Sequence, residues 1–278
     1  DVTADPTPTV PPEPTPVVFN TVSNADFEQY NNDFDYWSIL YVTGEDNQTY
    51  PGVEERLAES IKDCNTIPKA TVQVKNDAGR YIISNEQVEA ENEVYLTFSL
   101  SYEDGFTETV MQRLDAHDVK ATFFLSKDYM TSNPEMVKKI YDAGHLIGIK
   151  SPNDGELESF TAEQFAEELV ATEKVYQGIV GETERTVFFR TTYYSQRILK
   201  VAEAMGYTVV FNTYSTLSQS WYNDTQDDVN KARDRLFERA VYDGAVPELT
   251  ATKLVADALE MYLNDAINDV NVTFKRLA

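Results

Sequence analysis

From residue 93 onwards, short apolar runs alternate with longer stretches whose apolar residues recur at helical spacing. The apolar runs are Val94–Phe98, Ala121–Leu125, Leu146–Ile149, Val187–Phe189, Thr208–Phe211, Ala245–Leu249 and Val272–Phe274. Continuous apolar strands that alternate with helices are typical of an α/β protein with a parallel sheet covered by helices. The pattern therefore predicts a small (β/α) barrel, complete or incomplete, with its chemistry at the C-terminal ends of the strands.

The stretches between the runs are predicted helices. They are Thr107–Ala116, Pro134–Ala143, Thr161–Val180, Ser195–Met205, Asp224–Val241 and Thr250–Val270. Asn133 precedes a proline, so we expect it to cap the second of these helices. Thr161 and Gln164 have the spacing of a capping box, which predicts the start of the third.

The first 92 residues have a different composition and are predicted to form two further parts. Residues 1–17 read as a Pro-rich, disordered linker, since six of the twelve positions 5–16 are proline. Residues 18–92 read as a small appended α/β segment. Within it, helical spacing over 53–64 ends at Cys64, and Ala70–Val74 and Arg80–Ser84 flank a turn that ends at Gly79. The second feature predicts a β-hairpin.

The Pro-rich linker also bears on localisation. A Pro/Thr-rich spacer is common just outside a membrane anchor, so we expect an exported, secreted or surface-anchored protein with a tether upstream of residue 1. The alternative is a disordered N-terminus in the cytosol.

Composition limits the partners and the metal chemistry. The 47 acidic and 23 basic residues give a net charge of −24, which disfavours nucleic acid and anionic lipid. No apolar run approaches the roughly 18 residues of a membrane-spanning helix. A single cysteine, Cys64, excludes an internal disulfide and a multi-cysteine zinc site. The only two histidines are His117 and His145.

Four sequence blocks carry a family resemblance. In chain order they are Thr97-Phe-Ser-Leu-Ser-Tyr-Glu-Asp-Gly-Phe-Thr107, Ala121-Thr-Phe-Phe124, Gly144-His-Leu-Ile-Gly148 and Phe189-Arg190. This order resembles the polysaccharide deacetylases, the carbohydrate esterases with a NodB-homology domain, and among them the subgroup acting on peptidoglycan or its muramic lactam. The resemblance covers residues 93–278. It implies a distorted (β/α)7-type barrel, a carbohydrate partner such as peptidoglycan or another acetylated amino-sugar polymer, and a divalent metal such as zinc.

The chain departs from the family at the catalytic positions. Ser99 and Leu100 stand where the resemblance implies a catalytic base and a metal-binding aspartate, and Thr250 stands in place of the general-acid histidine. The two histidine ligands fall on Lys150 and Asp154. Metal-assisted hydrolysis needs a Lewis acid, but leucine offers no donor atom and a lysine ammonium repels a metal. Asp154 is the only surviving candidate ligand, so we expect no metal cofactor and no deacetylase activity.

Two acidic residues beside the first motif leave an alternative open. Glu103 and Asp104 would supply two carboxylates if Tyr102-Glu-Asp-Gly105 took the place of the family's Phe-Asp-Asp-Gly, although a solvated loop explains them as well. Lys150 and Asp154 could form an ion pair across the former metal site or be two exposed charges.

Further residues are candidates for a substrate groove. Arg190 could bind a sugar or peptide that bears a carboxylate, or pair with Glu248 inside the barrel. Tyr193 and Trp221 follow strand ends and could stack on sugar rings, or be ordinary core or rim residues. The histidines are expected to be structural or solvated.

Three functional hypotheses follow. The first is an exported pseudoenzyme of the family that binds or scaffolds a cell-wall glycan. The second is an active carbohydrate N-deacetylase that uses a rearranged set of Glu103, Asp104, Asp154 and Arg190. The third is a protein-interaction module in which residues 18–92 dock a partner and the barrel is a support.

Overall fold

An eight-stranded parallel sheet lies at the centre of the computed structural model, which describes residues 17–36, 64–67, 70–75, 81–85, 92–152, 157–216, 226–241 and 244–278. The strands of these parts are β1 (Asp35–Tyr36), β2 (Thr66–Ile67), β3 (Ala70–Lys75), β4 (Tyr81–Asn85), β5 (Glu93–Tyr95), β6 (Thr97–Leu100), β7 (Thr122–Leu125), β8 (Leu146–Lys150), β9 (Phe188–Arg190), β10 (Tyr193–Tyr194), β11 (Thr208–Val210), β12 (Tyr214–Ser215), β13 (Pro247–Leu249) and β14 (Thr273–Lys275). The helices are α1 (Asn24–Phe27), α2 (Thr107–Ala116), α3 (Lys127–Ser132), α4 (Pro134–Asp142), α5 (Ala162–Val180), α6 (Gln196–Ala204), α7 (Gln226–Ala240) and α8 (Lys253–Val270).

The order of the main sheet is β12-β13-β6-β7-β8-β9-β11-β2, with every neighbouring pair parallel. The sheet curls into a half-barrel, which confirms the predicted α/β class and barrel architecture. Two details of the strand prediction were wrong. The run Val94–Phe98 forms parts of two strands, and Val272–Phe274 pairs with β5 in a separate two-stranded sheet instead of joining the barrel.

Alternation along the strands separates two layers of the core. Phe123, Phe189 and Val209 belong to the clusters that pack against the outer helices. Their neighbours Phe124, Phe188 and Val210 face the other side and form an inner cluster with Val246 and Leu277. Residues of one strand that are two positions apart share a face, so Arg190 shares the inner face with Phe188.

The predicted helices are present, with boundaries that differ by a few residues. Helix α5 begins with the predicted capping box, since Thr161 and Gln164 bond to each other's backbone. Asn133 occupies the predicted capping position of α4, with Pro134 in the first turn. Its side chain makes no bond to that helix, and its amide instead donates to the carbonyl of Tyr129 in α3.

Parts of the N-terminal segment are built onto the barrel. Asn24 and Glu163 exchange two hydrogen bonds of 3.1 and 3.0 Å, and Phe27 is buried in the core cluster between α5 and α6. Strand β1 pairs with β10, and β2 adds an eighth strand beside β11. The described piece 64–67 thus extends the barrel's sheet, and the piece 17–36 adds to its core and forms a separate two-stranded sheet with β10.

The predicted hairpin is confirmed, because β3 and β4 pair antiparallel. The linker expected over 1–17 lies outside the described residues except for residue 17. The helix expected over 53–64 also lies outside them except for Cys64, which is half-buried against the α5–α6 core cluster in a bend before β2. Among the described helices, none is both long enough and apolar enough for a membrane crossing.

Candidate functional site

A small pocket opens at the C-terminal ends of β6, β8 and β13. It has a volume of about 50 Å³. Its lining residues are Ser99, Leu100, Ser101, Tyr102, Asp104, Lys150, Thr250 and Ala251. Parallel strands end at a common edge, so positions that are far apart in the chain meet there. Four positions that the family resemblance marks for catalysis therefore lie together: Ser99, Leu100, Lys150 and Thr250.

Ser99 and Leu100 are consecutive on β6, so their side chains lie on opposite faces of the strand. Ser99 lies on the inner face of β6, and its hydroxyl is 3.4 Å from Nη1 of Arg190. Leu100 has the opposite parity and packs into the outer core cluster with 4% exposure. The side chain of Leu100 contributes only carbon to the lining.

Lys150 ends β8 and supplies a positive charge to the pocket. Its ammonium donates a hydrogen bond of 2.9 Å to the hydroxyl of Ser101. No carboxylate of the described residues lies within ion-pair distance of it. Asp154, the predicted ion-pair partner and candidate ligand, lies outside the described residues.

Arg190 is buried beneath the pocket and is held by several partners. Its Nε donates to the carbonyl of Val210 at 3.1 Å, and Nη1 donates to the hydroxyl of Thr97 at 2.7 Å. The guanidinium also lies over the ring of Phe124, 4.1 Å from the ring centre. Burial lowers the pKa of Arg190 to about 10, while the charge of Glu248 raises it, so the group stays protonated at neutral pH.

Glu248 is the acid that faces Arg190 inside the barrel. Its Oε1 is 3.9 Å from Nη1 of Arg190, and both side chains are at most 3% exposed. Its other oxygen accepts hydrogen bonds from Asn212 and Ser215, at 2.8 and 3.1 Å. Arg190 was expected either to bind a carboxylate on a ligand or to pair with Glu248. In the structure it lies beside Glu248, and its Nη1 approaches the Ser99 hydroxyl. Neither charged group lines the pocket itself.

Glu103 is committed to the loop and helix that follow β6. Its carboxylate accepts hydrogen bonds from the backbone of Gly105 and Thr107, from the Thr107 hydroxyl and from the Tyr129 phenol. Burial opposes its ionisation, but the bonds from Tyr129, Thr107 and Gly105 outweigh burial, so the pKa of Glu103 lies below its ordinary value. This arrangement holds the start of α2 and does not direct the carboxylate at a substrate.

Asp104 is exposed at the rim of the pocket. Burial and the neighbouring charge of Glu103 raise the pKa of its carboxyl group. Of the two acids in the alternative motif, only Asp104 lines the pocket.

Thr250 directly follows β13 and is buried in the lining of the pocket. Its hydroxyl is 3.1 Å from that of Thr216, which also accepts a hydrogen bond from the Thr250 backbone. A threonine hydroxyl does not ionise near neutral pH, so this side chain cannot take the role of an acid.

The remaining predicted residues lie elsewhere. Tyr193 is half-buried in β10, paired with Tyr36, and does not line the pocket. Trp221 lies outside the described residues. His145 is buried and accepts a hydrogen bond from the backbone of Ala121, and burial together with the charge of Lys120 lowers its pKa to about 4. His117 ends α2.

The side chains at the pocket do not fit the divalent metal that the family resemblance implies. Across the described parts of the chain, no group of three or more His, Cys, Asp or Glu side chains could hold a metal ion. Hydroxyl groups, an aliphatic carbon chain and an ammonium replace the carboxylate and imidazole donors that zinc requires.

A curled parallel sheet with its pocket at the strand ends defines a barrel of the NodB type. The structure of Bacillus subtilis PdaA, a family 4 carbohydrate esterase, superposes with a TM-score of 0.67 and 23% identity, over 88% of this chain and 96% of that chain. A family 4 carbohydrate esterase pseudoenzyme from Bacillus anthracis superposes with a TM-score of 0.60 and 18% identity, over 68% of this chain and 64% of that chain.

Sequence comparison identifies the family. The family model described as polysaccharide deacetylase matches residues 86–210. The peptidoglycan-N-acetylmuramic acid deacetylase PdaA of Bacillus subtilis is 31% identical over 193 residues, which are 67% of this chain and 70% of that protein. The chain belongs to the polysaccharide deacetylase family.

Sequence reasoning did not find several residues that shape the site. Ser101, Tyr102 and Ala251 line the pocket, while Asn212 and Ser215 complete the shell of Glu248. A usable signal existed for the second group, because Glu248 is a charged residue within an apolar strand. Such a residue requires buried polar partners from neighbouring strands.

Proposed function

We propose that this protein is an exported, surface-tethered member of the family that binds a cell-wall glycan without deacetylating it. The observation that carries the proposal is the composition of the pocket. The positions for base, metal ligands and acid described in the sequence analysis are occupied by Ser99, Leu100, Lys150 and Thr250, and these positions meet in one place.

The chemistry of these residues argues against amide hydrolysis. A metal polarises the amide carbonyl and lowers the pKa of bound water. To bind such a metal, the pocket would need suitable ligand side chains at the family's ligand positions. Among the described residues, the hydrogen-bond partner of the Ser99 hydroxyl is the Arg190 guanidinium, a cation that cannot accept its proton. The side chains at the base and metal-ligand positions do not activate a water molecule, so the acyl transfer lacks its nucleophile.

Binding of a glycan is supported by the family and by the rim of the pocket. PdaA is named for the deacetylation of N-acetylmuramic acid in peptidoglycan, and its fold superposes on this chain, so a related sugar is a reasonable ligand for the pocket at the strand ends. Tyr102 is 59% exposed at the pocket rim and offers an aromatic surface for a sugar ring.

Export and tethering are supported by the Pro/Thr-rich composition of residues 5–16. Such a segment acts as a semi-rigid spacer between an anchor and a folded domain. Cell fractionation tests the export proposal. The protein is detected by antibody in the wall, membrane and cytosolic fractions of the source cells. Recovery in the cytosol alone contradicts the export proposal.

The main proposal is tested by three measurements on one preparation. The protein is incubated with zinc, desalted and analysed for metal, then assayed for release of acetate from peptidoglycan and chitooligosaccharides, and finally mixed with insoluble peptidoglycan in a sedimentation assay. We expect no stoichiometric zinc, no acetate release and retention on the glycan. Acetate release above a heat-treated control contradicts the inactive assignment, whereas lack of retention contradicts the binding assignment.

A further inference from the structure

The pocket combines a cation with several hydroxyl groups. Lys150 has three ammonium protons, of which one is donated to Ser101. Ser99, Ser101 and Thr250 place three hydroxyls around the same space. The ammonium offers only protons and the hydroxyls can donate theirs as well. Apart from Asp104 at the rim, the lining therefore suits an anion better than a metal cation.

Arg190 adds positive charge below the pocket floor. Its Nη1 is 3.4 Å from the Ser99 hydroxyl, and its Nη2 is buried and finds no hydrogen-bond partner among the described residues. Glu248 offsets part of this charge from 3.9 Å. The guanidinium still orients the Ser99 hydroxyl, because a cation that donates to the oxygen leaves the hydroxyl proton free for another acceptor.

Among the described residues, few negative charges compete for Lys150. The carboxylate oxygens of Glu103 are occupied by Gly105, Thr107 and Tyr129. Asp104 is the one acidic side chain that lines the pocket within the described part of the chain, and it lies exposed at the rim. An entering anion meets the ammonium and the hydroxyls on its way to the floor.

We propose that this pocket binds a carboxylate group, with Lys150 occupying the place of a metal cation. Within the described residues the pocket has a volume of about 50 Å³, which suits a group of the size of acetate, whereas pockets for whole small molecules usually exceed roughly 300 Å³. A sugar would therefore place only a carboxylate substituent here while its ring lies on the rim. The identity of the ligand as a sugar acid rests on the proposed glycan-binding function; the carboxylate specificity does not.

A matched pair of small probes tests the carboxylate specificity. Acetate and acetamide have the same shape and differ in charge, and a deacetylase-like pocket would accept the neutral amide. Each is titrated into ¹⁵N-labelled protein while the amide shifts of Ser99–Asp104 are followed. We expect saturable shifts with acetate at millimolar concentration and at least tenfold weaker binding of acetamide. Equal binding of the two probes, or no shift with acetate, overturns the proposal.

Three variants assign the effect to the pocket. Lys150→Met should weaken acetate binding roughly tenfold or more, as expected for the loss of a charge-assisted hydrogen bond, and Lys150→Arg should retain it. Asp104→Asn should strengthen binding, because it removes the opposing charge at the rim. Lys174→Met, which removes an exposed lysine from the outside of α5, is the control and should change nothing. A Lys150→Met protein that binds acetate like Lys174→Met overturns the assignment.

A second pair of probes tests the sugar acid. N-acetylmuramic acid differs from N-acetylglucosamine by a lactyl ether that carries a carboxylate. We expect binding of the first to depend on Lys150 and binding of the second to be weaker and independent of it. If retention on peptidoglycan strands freed of their peptides persists in Lys150→Met while acetate binding is lost, the glycan-binding function stands and the sugar-acid ligand is wrong. If acetate binds and glycan does not, the proposed function fails and the carboxylate site stands.

Discussion

Glu103 shows how a carboxylate beside a catalytic motif can have a purely structural role. Four hydrogen bonds converge on it from Gly105, Thr107 and Tyr129, and they join the loop after β6 to the starts of α2 and α3. The phenol of Tyr129 is fully buried and donates to Glu103, and its pKa is raised by burial and by this carboxylate. Loss of the negative charge would weaken all four bonds.

We therefore expect Glu103→Gln to lower the free energy of unfolding by about 1–3 kcal/mol at pH 7, as for loss of hydrogen bonds to a charged group. The folded-state pKa of Glu103 lies below its unfolded value, so the ionised group stabilises the fold above the unfolded pKa. This stabilisation is lost as the pH falls through the lower folded pKa. Urea titrations from pH 7 to pH 3 should show the difference from the unsubstituted protein shrinking in acid.

The neighbouring acid provides the control. The pKa of Asp104 is raised in the fold, which means that folding disfavours its ionised form. Asp104→Asn should leave the free energy of unfolding at pH 7 unchanged or slightly higher. Equal destabilisation by both substitutions would contradict the distinction between a structural and a rim carboxylate.

The buried pair of Arg190 and Glu248 makes a second prediction at this scale. Removal of one member of a buried ion pair leaves an uncompensated charge and costs about 3–5 kcal/mol, whereas replacing both with apolar groups of similar volume costs much less. We expect Arg190→Met and Glu248→Leu each to destabilise strongly in chemical denaturation. The double variant should be more stable than the sum of the two effects predicts, by at least about 1 kcal/mol. Additive effects would show that the 3.9 Å separation carries no coupling.

Among the elements, β8 shows why a glycine stands within a buried strand. A Cβ at Gly148 would lie 2.7 Å from Cε1 of Phe124 and 3.2 Å from the carbonyl oxygen of Phe188. The inner ring of Phe124 also lies under the Arg190 guanidinium and has little freedom to move. The strand approaches its neighbours too closely for any side chain at this position.

Gly148→Ala should consequently lower the free energy of unfolding by about 1–3 kcal/mol, the usual cost of overpacking a core. Gly178 within α5 is the matched control, because a Cβ there meets nothing within 4 Å. Gly178→Ala should raise stability by about 0.5–1 kcal/mol through helix propensity. Thermal denaturation of both variants checks the two signs, and a stabilising Gly148→Ala would contradict the close approach.

The elements also show where the sequence was sufficient for prediction and where it was not. Long helices with caps, such as α5 with its Thr161 box, and the apolar strands from β6 to β9 carry their own local signals. Strands β2 and β12 have two residues each, which is too short for a periodic pattern, and they are defined only by pairing with β11 and β13. The run Val272–Phe274 was predicted as a barrel strand, but the strand formed there, β14, has β5 as its partner.

The candidate site was also predictable only in part, because some of its contacts depend on strands that are distant in the chain. The positions Ser99, Leu100, Lys150 and Thr250 follow from motif order, because they end strands of one sheet. The shell of Glu248 depends on side chains from β12 and from Asn212, whose proximity arises from the curl of the sheet. No local pattern encodes such a contact.

At the scale of the whole molecule, the barrel should accept the metal-binding residues that the family resemblance implies. A variant with Ser99→Asp, Leu100→Asp, Lys150→His, Asp154→His and Thr250→His restores the residue types that the family resemblance implies. We expect it to bind about one zinc per chain by elemental analysis after desalting, because the altered positions among the described residues share one pocket.

The control carries only Ser99→Asp and Thr250→His and keeps Lys150 and Leu100. It should bind no zinc, since the ammonium and the aliphatic side chain remain. Circular dichroism establishes that both variants fold. A folded five-substitution variant without zinc would show that the backbone of the pocket has diverged along with its side chains.

The pairing of β6 has a consequence for how the chain folds during synthesis. One edge of β6 meets β7 soon after both emerge, but the other edge needs β13, and the Thr97 hydroxyl bonds to the Pro247 carbonyl 150 residues further along. At 5–20 residues per second, a ribosome takes roughly 8–30 s to make that stretch. Throughout this interval the apolar strand that carries Ser99 and Leu100 has an unpaired edge, which is open to association with other nascent chains.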